Sequence, residues 1–126
     1  MDISLTLITA LMIKHFICDF PLQRKFQYEN KGTYGHPGGL IHSGCHAIGT
    51  LFVLAIFASL TLSGWTIASL MLFDAVTHYH IDWLKVNVCE FFGLKADNSE
   101  WFWHILGLDQ LLHFLTYVAI IILVIK

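Results

Sequence analysis

Four apolar stretches of this chain, each near the ~20 residues a helix needs to cross a bilayer, carry acids or imidazoles one helical turn apart. His15 and Asp19 lie in the first, and His42 and His46 in the second. Asp74, His78 and Asp82 lie in the third, and Asp109 and His113 in the fourth. A spacing of four puts two side chains on one face of a helix. The pattern therefore predicts four helices, each with a polar stripe. Ionisable groups inside a membrane span are costly and functional by default. Lipid offers such stripes no partner, so they must face one another across a bundle.

Composition agrees with lipid as the main solvent. Hydrophobic residues make up 56% of the 126 and charged residues 13%, with a mean hydropathy of +0.67, whereas soluble domains carry about 25% charge. The reading is an all-α membrane protein: one domain, residues 1–126, a four-transmembrane-helix bundle with a buried His/Asp site. The spans are Ile3–Pro21, Leu40–Leu62, Trp65–Lys85 and Trp101–Ile125. The first lacks the basic leader of a cleaved signal peptide. Spans two and three are joined by a tight turn. The Tyr28–Gly39 loop is expected over the mouth of the bundle, and the apolar Cys89–Leu94 piece reads as a short interfacial helix. The tail from Tyr117 onward shows no polar face.

Basic residues Arg24, Lys25, Lys31, Lys85 and Lys95 flank the first and third connections. By the positive-inside rule these loops are cytoplasmic and both termini lie outside the inner membrane of bacteria. Lys14 is expected to snorkel toward the same side. This topology brings the pairs to one layer, roughly 5–15 Å below the cytoplasmic interface at ~1.5 Å rise per residue.

Imidazole with carboxylate suits zinc, manganese or iron better than calcium or magnesium. The expected ligands are His15, Asp19, His42, His46, His78, Asp82, Asp109 and His113. Eight exceed the needs of one tetrahedral ion and suit two, with positions left for water; zinc is the favoured metal, with manganese and iron as alternatives. A single buried histidine is more often a hydrogen-bonded core residue, and it is the joint occurrence of four pairs at one depth that favours metal. Asp74, deeper than the rest, is expected to orient an imidazole or to take a proton in catalysis. Lys31 and Lys85 are expected as catalytic groups that hold anionic oxygens, and Gln23, Asn30 and Gln110 as further substrate contacts. His80 points away from His78, and His36 and His104 sit in or near loops. The three cysteines, Cys18, Cys45 and Cys89, read as small apolar residues, and no basic run points to nucleic acid.

Taken in order, His15-x3-Asp19-Phe20-x-Leu22-Gln23, Asn30-Lys31, His42-x3-His46, His78-x3-Asp82-x2-Lys85 and Asp109-Gln110-x2-His113 resemble a family of small bacterial and phage integral membrane proteins of unknown function. The resemblance covers nearly the whole chain. It implies roles for Gln23, Lys31, Lys85 and Gln110 beside the ligands, and does not include Asp74. The site is also similar in style to membrane-bound metal-dependent hydrolases, a likeness of chemistry rather than of descent.

These residues lead to an expected activity: hydrolysis of a phosphoester or phosphoanhydride, in a lipid-linked or other anionic substrate, by metal-activated water at the cytoplasmic face. The partners are the bilayer and that substrate, and a homo-oligomer is compatible. Alternatives are a metal or proton transporter lined by the same residues, a haem-binding bundle, and a metal-stabilised structural protein. The aspartates speak against haem. The one-sided clustering of the ligands speaks against transport.

Overall fold

The computed structural model describes residues 2–126. It contains five helices and, among the described residues, no strand: α1 (Ile3–Asp19), α2 (Lys25–Tyr28), α3 (Pro37–Phe57), α4 (Gly64–Phe91) and α5 (Glu100–Ile125). Each long helix starts where a side chain can satisfy its free amides. Asp2 accepts from the Ser4 amide at 2.7 Å and Ser63 from that of Thr66 at 3.1 Å. Ser99 accepts from the Trp101 amide at 3.2 Å. His36 caps α3 by accepting from the Gly38 amide at 3.0 Å, with Pro37 at the first helical position.

Two boundaries differ most from the sequence reading. α3 stops at Phe57 rather than Leu62, because the Ser-Leu-Thr-Leu-Ser run lets side chains compete with the helix: Thr61 Oγ1 donates to the Ala58 carbonyl at 3.1 Å. α4 continues past Lys85 to Phe91, so Cys89–Phe91 is its last turn and not a separate interfacial helix. Nothing before Gly93 breaks it. There the chain takes φ +64°, and the Leu94 amide donates to Cys89 at 2.8 Å while that of Gly93 donates to Glu90 at 3.1 Å, the Schellman ending that favours glycine.

The four long helices form an antiparallel square. α1 packs on α3, α3 on α4, α4 on α5 and α5 on α1, with no backbone contact across either diagonal, while α2 rests on α3. Side chains alone fill the centre. One half is apolar, with Leu7, Leu11, Val53, Leu54, Ala58, Ile67, Leu70, Ile120 and Ile121 packed together. The other half holds the histidines and aspartates.

Two helices, α3 and α5, are long and apolar enough by themselves to cross a membrane, with mean hydropathies of 1.8 and 2.1 over their best windows. The expectation of four such spans is met by two. α1 is only 17 residues long and includes Lys14 and Asp19, and Asp74, Asp82, Lys85 and Glu90 dilute α4.

The loop after α2 is pinned to α4. The Gly35 amide donates to the Tyr79 hydroxyl at 2.6 Å, and Asn87 Nδ2 donates to the Gly32 carbonyl at 3.0 Å. Gly32 is required by closeness, since a Cβ there would lie 2.6 Å from Val86 Cγ1. This attachment brings Lys31 to the mouth of the bundle.

Candidate metal centre

All eight residues expected as ligands are buried and face one another. α1 brings His15 and Asp19, α3 brings His42 and His46, α4 brings His78 and Asp82, and α5 brings Asp109 and His113. Asp19 is a hub: its Oδ1 lies 3.0 Å from His46 Nε2, 3.2 Å from His42 Nε2 and 3.8 Å from His78 Nε2. Its Oδ2 lies 3.1 Å from His15 Nε2. Asp82 is a second hub. Its Oδ2 is 3.2 Å from His42 Nε2 and 3.4 Å from His78 Nε2, and its Oδ1 is 3.4 Å from His113 Nε2.

These separations fit a cation. Ligand atoms bound tetrahedrally at ~2.0 Å sit about 3.3 Å from one another. His42 Nε2, His78 Nε2 and Asp82 Oδ2 form a near-equilateral triangle, the first two 3.1 Å apart, and Asp19 Oδ1 lies 3.2 and 3.8 Å from the two histidine nitrogens. Three groups of side chains place their ligand atoms mutually within 4.8 Å: Asp19, His42, His46 and His78; His15, His78 and His113; and Asp82, Asp109 and His113. The buried atoms His113 Nε2 and Asp109 Oδ1 have no hydrogen-bond partner among the described residues. Buried polar atoms are rarely left so, and a cation between them would satisfy both. The residues can thus hold a metal ion.

Beneath the histidines lies a polar network that sequence reasoning missed. Lys14 does not snorkel. It is 6% exposed, and its ammonium reaches Asp74 Oδ2 at 2.8 Å, the Tyr117 hydroxyl at 3.2 Å and His46 Nδ1 at 3.4 Å. A lysine beside an α1 histidine would have to cross the centre of the bundle to leave it, and Asp74 stops it there. Thr50 Oγ1 also donates to Asp74, at 2.5 Å. Asp74 touches no imidazole; Lys14 stands between it and His46. Tyr117 gives the supposedly apolar tail of α5 a polar contact, its hydroxyl lying 2.8 Å from His15 Nδ1. Lys14 and Asp74 are opposite charges within apolar segments, and that was the available signal.

Above the histidines, a cavity of about 320 Å³ opens between α1, α4, α5 and the loop carrying Lys31. Asp19, Asp82 and Asp109 form its acidic wall. Gln23, Lys31, Lys85 and Gln110 supply its other polar groups, and Phe20, Val86 and Leu106 an apolar side. Lys31 Nζ meets Asp82 Oδ2 at 2.8 Å. Gln110 Oε1 faces His15 Nε2 at 3.2 Å, while its amide donates to Asp109 at 3.0 Å. Gln23 donates to the Asp19 carbonyl at 2.5 Å and keeps its buried Oε1 without a partner.

Two expected residues do not join the cavity wall. Asn30 spends its amide on the Phe26 carbonyl at 2.8 Å, ending α2, and Asp74 is enclosed by Lys14 and Thr50. His80 pairs with the Tyr34 hydroxyl at 3.0 Å, away from the cluster as expected. His36 serves as a helix cap and His104 is exposed. The three cysteines are free thiols.

A family model described as "Protein of unknown function (DUF3307)" matches residues 7–126. The chain belongs to this family. The five motifs read from the sequence all fall inside the matched DUF3307 region, in agreement with the resemblance to an uncharacterised family. No curated protein and no solved structure matches the chain.

Proposed function

We propose that this DUF3307 protein is a membrane-embedded, metal-dependent hydrolase of a phosphoester or phosphoanhydride, acting at the cytoplasmic face. One observation carries the reading: the cation cluster and the basic residues expected to hold phosphate meet around a single cavity. The His and Asp side chains of the cluster would hold divalent ions, which when bound would supply Lewis-acid chemistry: water activated at neutral pH and charge stabilised on the oxygens of phosphorus. Lys85 and Lys31 stand at the cavity to bind the remaining oxygens. Asp74 is closed off by Lys14 and Thr50, so a carboxylate of the cavity wall, Asp19, Asp82 or Asp109, takes the proton of the attacking water through an oxygen it does not give to a cation. The new P–O bond forms as the bridging P–O bond breaks, and the leaving oxygen regains a proton from solvent. The apolar side of the cavity favours a lipid-linked substrate.

In this reading all four long helices cross the membrane, with the first and third connections inside and both termini outside. Lys14, Asp19, Asp74 and Asp82 point into the bundle, where Lys14 pairs with Asp74 and Lys31 with Asp82, while large apolar residues such as Phe16, Phe20, Leu72 and Val76 face outward. Transport fits less well, because the packed half from Leu7 to Ile121 closes the bundle beyond Asp74. Haem fits less well too, because the His46 and His78 rings stack with centroids only 3.5 Å apart.

The deciding experiment incubates the full chain, purified in mild detergent, with zinc or manganese and a panel of lipid phosphates, diphosphates and nucleotides. Release of phosphate that Asp82→Asn abolishes is the expected result. A wild-type protein that binds less than one metal per chain overturns the reading.

A further inference from the structure

The eight side chains of the cluster are not equivalent, and the difference begins at Lys14. As an ammonium paired with Asp74, Lys14 has donors and no acceptor. It stands 3.4 Å from His46 Nδ1, so that nitrogen receives a hydrogen bond. A neutral imidazole accepting at Nδ1 carries its proton on Nε2. His46 Nε2 then donates to Asp19 Oδ1 at 3.0 Å and has no lone pair for a metal.

The same logic reaches His15 through Tyr117. The Tyr117 hydroxyl accepts from Lys14 at 3.2 Å, which leaves its own proton for His15 Nδ1 at 2.8 Å. Among the described residues the Tyr117 hydroxyl meets no other acceptor, so its proton goes to His15 Nδ1 and the imidazole proton to Nε2. Its neighbours are suited to that: Gln110 Oε1 at 3.2 Å and Asp19 Oδ2 at 3.1 Å, both of which only accept.

His42 and His78 lie in a different setting. Both Nε2 atoms also lie near carboxylates, His42 at 3.2 Å from Asp19 and Asp82 and His78 at 3.4 Å from Asp82. Among the described residues, however, no donor occupies either Nδ1, so each ring is free to carry its proton there and leave Nε2 a lone pair. Their Nε2 atoms face each other at 3.1 Å, a gap that holds one proton or one cation shared by two lone pairs. His113 Nε2 is likewise without a hydrogen-bond partner.

We infer that Lys14 and Tyr117 sort the five histidines. His15 and His46 are proton donors that position Asp19. His42, His78 and Asp82, with Asp19, hold one cation, and His113, Asp109 and the other oxygen of Asp82 hold a second. Asp82 bridges the two. The ligand assignment rests on the proposed metal site, whereas the proton order does not.

The test has two independent readouts. In metal-free full-length protein, ¹⁵N NMR of the imidazole nitrogens, assigned by His→Gln variants, reports each tautomer. Nε2–H at both His15 and His46 is expected, and Tyr117→Phe should shift His15 alone to a tautomer mixture. Nδ1–H at His15 or His46 in the wild type overturns the inference. With zinc alone added in excess and then dialysed, His46→Gln and His15→Gln should retain the wild-type stoichiometry, while His42→Gln and His78→Gln lose at least one ion per chain. Equal loss in His46→Gln and His42→Gln also overturns it. Wild-type protein that shows the expected tautomers but holds no zinc supports the proton order and removes the hydrolase reading.

Discussion

Lys14 and Asp74 meet in the middle of the bundle, almost fully enclosed, 2.8 Å apart. Such a pair is easily misjudged. Replacing both partners with apolar groups is often nearly neutral, whereas removing one leaves an unpaired buried charge at a cost of about 3–5 kcal/mol. Lys14→Met should therefore destabilise the protein by about that amount, because Asp74 would keep only the Thr50 hydroxyl. The double variant Lys14→Met/Asp74→Leu should recover most of the loss. Reversible unfolding in detergent checks both, and equal stabilities for the single and double variants would show that the pair is not coupled. At the cavity, Lys85 is the basic residue with no carboxylate in contact; its ammonium lies 5.2 Å from the centre of the Phe102 ring. Lys85→Gln should thus raise KM about tenfold, the worth of one charge-assisted contact, with little change in kcat. A change confined to kcat would place Lys85 in the chemical step instead.

Helix packing explains how Lys14 reaches Asp74. α1 and α3 approach closely at Gly49, where a Cβ would lie 2.5 Å from Lys14 Cγ and 2.8 Å from its Cδ. These atoms are the stem of a side chain held at its far end, so they cannot swing aside. Gly49→Ala should cost about 1–3 kcal/mol by overpacking. Gly44 is the control on the same helix, because a Cβ there meets nothing within 4 Å. Gly44→Ala should be neutral or stabilising by about 0.5–1 kcal/mol through helix propensity alone. Similar thermal shifts for the two variants would contradict the packing described. The contrast also shows what the sequence could and could not reveal. The clustered histidines and aspartates were legible because a helix repeats locally, so His42 and His46 announce their common face four residues apart. The Lys14–Asp74 contact joins residues 60 apart and the Lys14–Tyr117 contact residues 103 apart. No local period encodes them, and Lys14 was assigned to the wrong environment. The end of α4 was missed for another reason. Lys85 resembled a boundary only because it is charged, and the residue that does end the helix, Gly93, lies eight positions further on.

For the molecule as a whole, the buried charges make a short inventory. Asp19, Asp74, Asp82 and Asp109 are enclosed, and Lys14 and Lys31 pair with Asp74 and Asp82. Two carboxylates, Asp19 and Asp109, remain without a lysine. One divalent cation would balance them, and a second would leave the cluster positive, a state that would attract an anionic substrate. The outward surface has the opposite character, with Ile13, Phe16, Phe52, Ile56, Leu72 and Leu108 exposed around the bundle. The full chain should accordingly stay with membranes through alkaline carbonate extraction. Cysteines placed at Asp2 and Lys126 should react with an impermeant maleimide added outside intact cells, and labelling from the inner side alone would invert the topology. Metal and fold should also be coupled. A cation at 100 times its Kd stabilises the native state by about 2.7 kcal/mol, and its removal exposes Asp19 and Asp109 to each other's charge in a poorly solvated site. Chelation should lower the melting temperature of the wild type by several degrees. Asp19→Asn/Asp109→Asn removes both uncompensated charges, so this variant should bind little zinc and melt at one temperature with or without chelator. If the wild type, stripped of zinc as verified by elemental analysis, melts where the loaded protein does, the two carboxylates are neutralised by protons on the histidines and the cluster is a hydrogen-bonded core.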